Sequence, residues 1–157
     1  MKFSKPLPEP TTCIFYLEYD NSVRVDTSRT VKKDFLIINT TQILCTLKDV
    51  RSFLGIFPSD MLPRFVTQSG TVIIDADPHT ENDSHCLAVH LLPKSSSACF
   101  FYSYGTVPHV RDIADFMRRN CTVRDYNRRQ LQGLRSNICG KYCCLFVLYM
   151  DLGFSAK

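Results

Sequence analysis

Three residue types fall along this chain in an order that could support attack on a carbonyl group. Cys139 opens the apolar run "CGKYCCLFVLYMDLG". If a helix starts there, the thiol meets free backbone N–H groups and the positive end of the helix dipole. That placement favours a thiolate, the nucleophilic form of cysteine. A thiolate nucleophile works with a general base, and His85 begins a strand directly after the polar turn "ENDS". The other three histidines sit less favourably: His79 in a turn after Pro78, His90 inside a strand, and His109 in the first turn of a helix. An oxyanion donor is the third requirement. "RRQLQGLRSNICG" sets Gln130 and Gln132 upstream of the cysteine, where a side-chain amide can act beside a backbone N–H.

The bulk composition bounds the setting. The 157 residues predict a single domain, 1–157, with an extended lead over 1–12. A hydrophobic content of 45% and a charged content of 22% are ordinary for a globular protein. The net charge of +4 permits an anionic partner without demanding one. "MKFSKPLPEP" lacks the apolar core of a signal peptide, and no segment reaches the roughly 18 apolar residues of a membrane span. An intracellular setting is therefore expected, with the eight cysteines as reduced thiols, most of them small core residues. Cys139, Cys143 and Cys144 have no paired cluster elsewhere and the histidines are scattered, so no metal site is expected.

Hydrophobic periodicity supplies the elements that must position these groups. "CIFYLEYDNSVRV" (13–25) reads as a hairpin around Asp20-Asn21, and 32–40 as a short strand. Ile43, Leu44, Leu47 and Val50 recur at helical spacing, predicting a helix over 39–55 capped by Thr40 or Thr41 and closed by Gly55. "FPSDMLPRF" reads as a turn-rich connector. Thr71–Ile74 is the clearest buried strand. "HCLAVHLLP" and "SACFFYSYG" follow as a hairpin pair around "PKSS". An amphipathic helix over 107–120 turns Val110, Ile113, Phe116 and Met117 to one side, and 122–132 returns towards the sheet. The last helix starts at Cys139 and stops at Gly153. This order is α+β, a central mixed or antiparallel sheet packed by helices.

Taken together, "DADPHTENDSHCLAVHLLP", "CFFYSYG", "YNRRQLQ" and "SNICGKYC" resemble the adenovirus-type cysteine proteases (adenain) and their relatives in Polinton/Maverick-like elements and associated viruses, distant cousins of the SUMO-specific proteases. The resemblance covers about residues 40–152. It implies a papain-like fold, a His–acid–Cys triad and a glutamine in the oxyanion hole. His85 falls on the family's histidine, Cys139 on its nucleophile and Gln132 on its glutamine. Two positions depart from the pattern. Cys86 replaces the tryptophan that usually follows the histidine, and Tyr102 stands where the family has a carboxylate, as in "FFDSFG".

Removing the acid from a serine triad costs about 10⁴ in turnover. A cysteine is more forgiving, because a thiolate–imidazolium pair can exist before substrate arrives. The Tyr102 hydroxyl can accept a hydrogen bond from the imidazole but supplies no charge. Two readings follow: a weakened enzyme with Tyr102 as orienter, or a non-catalytic homologue that binds protein or DNA. Asp75, Asp77 and Asp83 are the nearest alternative carboxylates.

The resemblance also implies partners: a viral or element-encoded precursor or capsid polypeptide as substrate, DNA or an activating peptide as cofactor, and a host nucleus or virion as location, with the protein acting as a monomer. Seven arginines lie between Val107 and Arg135. Arg118, Arg119, Arg128 and Arg129 are the candidate DNA contacts, against the plainer reading of a solvated surface.

Overall fold

The computed structural model describes residues 38–80, 85–133 and 136–154. They run α1 (Thr40–Leu47), β1 (Phe53–Pro58), β2 (Gly70–Asp75), β3 (Cys86–Leu92), β4 (Ser97–Phe101), α2 (Arg111–Asn120), β5 (Val123–Tyr126) and α3 (Cys139–Asp151). All belong to the unit Lys33–Lys157. The hairpin expected over 13–25, the lead over 1–12, most of the strand expected over 32–40 and Asp83 lie outside the described residues.

The five strands form one mixed sheet in the order β1-β2-β3-β4-β5. β2, β3 and β4 are antiparallel neighbours, and the edge strands β1 and β5 each run parallel to the strand beside them. Successive strand side chains point to opposite faces, and this alternation sets the layers. Val72, Ile74, Leu87, Val89, Leu91, Ala98 and Phe100 meet Ile113, Phe116 and Met117 of α2. Ile73, Ala88 and Phe101 face the other way, onto Ile43 and Leu47 of α1 and Cys143, Phe146 and Val147 of α3. The Phe101 and Phe146 rings stack there with centroids 4.7 Å apart. The fold is α+β, three layers with the sheet in the middle.

The helix expected over 39–55 is the main correction. Asn39 caps it, exchanging hydrogen bonds with Gln42, but it ends at Leu47. Phe53–Pro58, split in the sequence reading between that helix and a turn, forms β1 instead. The reason is a bulge at Gly55, where φ is 128° and the register with β2 shifts. The extra residue lets Phe53 and Ile56 pack on the α1/α3 side and Leu54 and Phe57 on the α2 side. Burying four large side chains contributes several kcal/mol, at roughly 1.5–3 kcal/mol each for full burial, which outweighs a weak helical preference.

α2 begins at Arg111, after Val110, so Pro108 and His109 precede it. α3 begins at Cys139 and closes at Gly153 (φ 81°), with Gly153 N–H bonding Met150 O and Phe154 N–H bonding Tyr149 O, a Schellman close. At its other end, Gly140 lets α1 approach closely. A Cβ there would come within 2.9 Å of Ile38 Cγ1.

Candidate active site

Cys139 is the first residue of α3, with Ile138 as its N-cap and no side chain covering the exposed amides. The positive end of the helix therefore faces the thiol. β3 starts beside it, and the Cys86 amide donates to Cys139 Sγ at 3.3 Å. The Cys86 thiol and the His85 ring also favour the ionised form of Cys139. The Cys86 thiol is the strongest influence. With the Cys86 amide and His85 it holds Cys139 well below the ordinary thiol range, against the opposing effect of burial. The same contact pushes Cys86 far above that range, reinforced by its own burial.

His85 reaches this point because the β2–β3 ladder continues one step beyond Cys86. Ala76 N–H donates to His85 O at 2.8 Å. Among the described residues, the buried His85 Nδ1 has no hydrogen-bond partner. The expected hydrogen bond from the imidazole to the Tyr102 hydroxyl is therefore not made. What faces the imidazole is Tyr104, edge-on, with centroids 5.5 Å apart and planes at 87°.

The end of the strand pairing explains the difference. β3 and β4 pair Leu92 with Ser97 and continue stepwise to Ala88 with Phe101. The ladder stops at Phe101, and residues 102–105 close a turn in which Gly105 N–H donates to Tyr102 O at 2.7 Å, with Tyr104 and not Tyr102 against the imidazole. Tyr102 instead joins the α2-side core. Asn127 brackets its backbone, accepting from its N–H and donating to its carbonyl, both at 2.8 Å. Its ring lies 5.1 Å from that of Tyr104 and 6.0 Å from that of His109. Burial first, then Tyr104, pushes its hydroxyl up to about 12, so it stays neutral at physiological pH. Asp75 is buried opposite Cys86, and its Oδ1 accepts from the Asp77 amide at 3.2 Å.

Gln132 is almost wholly buried. Its Oε1 accepts from Ser103 Oγ at 2.7 Å, and its backbone N–H donates to Ser103 O at 3.0 Å. Its Nε2 donates to Ser136 O, in the approach to α3, and to Tyr104 Oη at 3.3 Å. Both amide hydrogens are thus engaged. Gln130, the other upstream glutamine, braces the backbone instead, donating to Gln132 O at 2.8 Å. Tyr104 therefore touches both His85 and Gln132. Sequence reasoning missed it, as it missed Ser103 and the Cys86 amide, because the turn after Phe101 decides which side chain meets the histidine.

This assembly depends on a tight approach at Gly105, where φ is 71° and a Cβ would sit 2.7 Å from Arg129 C and Gln130 N. Gly105→Ala should cost about 2–3 kcal/mol through strain and a backbone clash. A thermal melt should show Tm falling on the order of 10 °C; an unchanged Tm would mean the crossing is not tight.

Two of the other histidines are engaged away from the Cys139 sulfur. His90 is buried, bonds Thr71 Oγ1 through Nδ1 at 2.8 Å, and is held below its usual range by burial. His79 pairs with Asp60 at 2.6 Å on the surface. Arg118 and Arg119 are exposed in the last turn of α2, and Arg128 and Arg129 are exposed after β5. Arg118 pairs with Asp115, and the Arg128 guanidinium lies 5.5 Å over the Tyr126 ring. A cavity of about 220 Å³, lined by Phe100, Met117, Arg118, Arg124 and Tyr126 among others, has none of Cys139, His85, Gln132 or Tyr102 in its wall.

Among the described residues, no cluster of three or more His, Cys, Asp or Glu could hold a metal ion, and no helix is long and apolar enough to cross a membrane. No protein-family model matches this chain, and no curated protein matches it either.

Proposed function

We propose that this chain is a cysteine endopeptidase with an adenain-like, papain-type arrangement of its α+β fold. The observation that carries the reading is convergence on one sulfur: Cys139 at the uncapped start of α3, with the Cys86 amide donating to it at 3.3 Å and His85 favouring its ionised form. In this mechanism the Cys139 thiolate attacks a peptide carbonyl carbon and forms a C–S bond. Charge moves to the carbonyl oxygen, where the Cys139 N–H and the Gln132 amide can receive it. His85, holding the proton from Cys139, passes it to the amine as the C–N bond breaks. Water, deprotonated by His85, then hydrolyses the thioester. The substrate is a polypeptide precursor of viral or element type, and the exposed arginines in the last turn of α2 and after β5 form a surface for duplex DNA.

Two features favour the second reading, an impaired homologue that binds protein or DNA. No described group holds His85 Nδ1, and Gln132 Nε2 must exchange one of its two partners before it can serve an oxyanion.

Iodoacetamide labelling across pH, with each modified cysteine mapped, tests the reading. Alkylation follows the thiolate fraction. Cys139, with its acidity strengthened, should react well below the ordinary thiol range and reach a plateau by neutral pH. Cys99 and Cys144, each pushed up to about 11 by burial, should label only in alkali. If Cys139 labels no faster at neutral pH than Cys144, the enzyme reading fails.

A further inference from the structure

Cys86 serves Cys139 with more than its amide. That amide nitrogen lies 3.3 Å from Cys139 Sγ, which fixes the Cys86 backbone against the sulfur, and the two thiols push each other's acidity in opposite directions. Both are free cysteines, one at the start of β3 and one at the start of α3, so they are neighbours only in space. A disulfide needs Cβ atoms about 3.8 Å apart and a set dihedral, and a sulfur 3.3 Å from the Cys86 nitrogen lies within reach of that residue's own rotating side chain. No other described cysteine is placed so well. Cys143 lies one turn further along α3, wholly buried in the α1/α3-side core, whereas Cys86 is only half-buried.

We propose that Cys86 is the resolving thiol of Cys139, making the pair a site of reversible oxidation by hydroperoxides. The Cys139 thiolate attacks a peroxide oxygen, the O–O bond breaks, and the departing oxygen leaves as water or an alcohol after taking a proton. Cys139, oxidised by two electrons, becomes a sulfenic acid. Cys86 sulfur then attacks Cys139 sulfur. The S–O bond breaks, the S–S bond forms, and a second water carries off the thiol proton. Burial and the negative sulfur beside it keep Cys86 protonated in the reduced site. Oxidation of Cys139 removes that negative charge, so Cys86 ionises more readily when it is needed. The disulfide blocks the nucleophile and shields it from irreversible sulfinic acid formation.

The inference rests on Cys139 being an ionised nucleophile, as in the proposed function, but its test reads sulfur connectivity and needs no substrate. The full chain is treated with hydrogen peroxide, remaining thiols are blocked, and a non-reducing digest is mapped by mass spectrometry. A Cys86–Cys139 linked peptide should dominate and disappear after dithiothreitol, with full recovery of Cys139 alkylation. Cys86→Ser should abolish the link and let Cys139 accumulate as sulfinic acid. In the wild-type chain, recovery of Cys139 as sulfinic acid, unmodified, or bridged to Cys143 or any other cysteine would overturn the proposal, whether or not the variant folds. A link formed by a protein that cleaves no peptide would leave this inference standing and remove the protease reading. Cleavage without the link would do the reverse.

Discussion

Cys139→Ala is expected to reduce peptide cleavage to background, a loss of about 10⁴-fold or more in kcat/KM. His85→Ala should fall nearly as far, and the double variant no further. Thiolate and imidazole form one nucleophilic unit, so removing either removes the reaction the other supports, and their effects do not add. The Cys139 substitution is mild for the fold. The side chain sits at the first position of α3, where alanine is a good helix former, and it leaves the Cys86 amide without an acceptor at a half-buried position. Far-UV circular dichroism and Tm should therefore stay near wild type while turnover vanishes, measured on a fluorogenic peptide library. Alkylation of His85→Ala adds a second readout. Its Cys139 should still label below the ordinary thiol range, but less readily, because the Cys86 thiol influences that sulfur more strongly than His85 does. Cleavage that survives in Cys139→Ala would end the endopeptidase reading.

Much of this site is legible in local pattern, and the remainder depends on what packs against what. The start of α3 at Cys139 follows from an apolar helical run with Gly153 behind it, and it holds in the structure. The β3–β4 hairpin follows from two apolar runs flanking 93–96. β1 was not legible, because Phe53–Phe57 has strand character only once Gly55 becomes a bulge beside β2. Tyr102 illustrates a different failure. Family spacing from the histidine points to it, whereas the turn that follows Phe101 sets Tyr104 against His85. The engagement of Gln132 could not be read at all. Its partners Ser103, Tyr104 and Ser136 meet only because the chain after β5 crosses Gly105 at close range.

That engagement makes Gln132 the second position where a large effect is expected. Gln132→Ala should lower kcat by about 10²–10³, the usual loss for one oxyanion donor. It should also cost about 1–3 kcal/mol of stability, since the wholly buried Ser103 hydroxyl loses its acceptor. Gln132→Glu separates the two effects. An ionised glutamate keeps an acceptor for Ser103 but cannot donate to Ser136 O, Tyr104 or an oxyanion, and it sets negative charge where negative charge must develop. Its kcat should fall at least as far as that of the alanine variant. The plateau of Cys139 alkylation should stay at neutral pH in the alanine variant, because Gln132 is not among the groups that hold the thiol, and move to higher pH in the glutamate variant, whose negative charge disfavours the thiolate. Tyr104→Phe completes the comparison. It keeps the ring against His85, removes only the 3.3 Å hydrogen bond, and frees one amide hydrogen for the oxyanion. Its kcat should stay within about threefold of wild type or rise, since a neutral hydrogen bond contributes only about 1 kcal/mol. If Gln132→Glu turns over normally, the amide is a structural brace between Ser103 and Ser136, and the oxyanion must rely on the Cys139 amide alone.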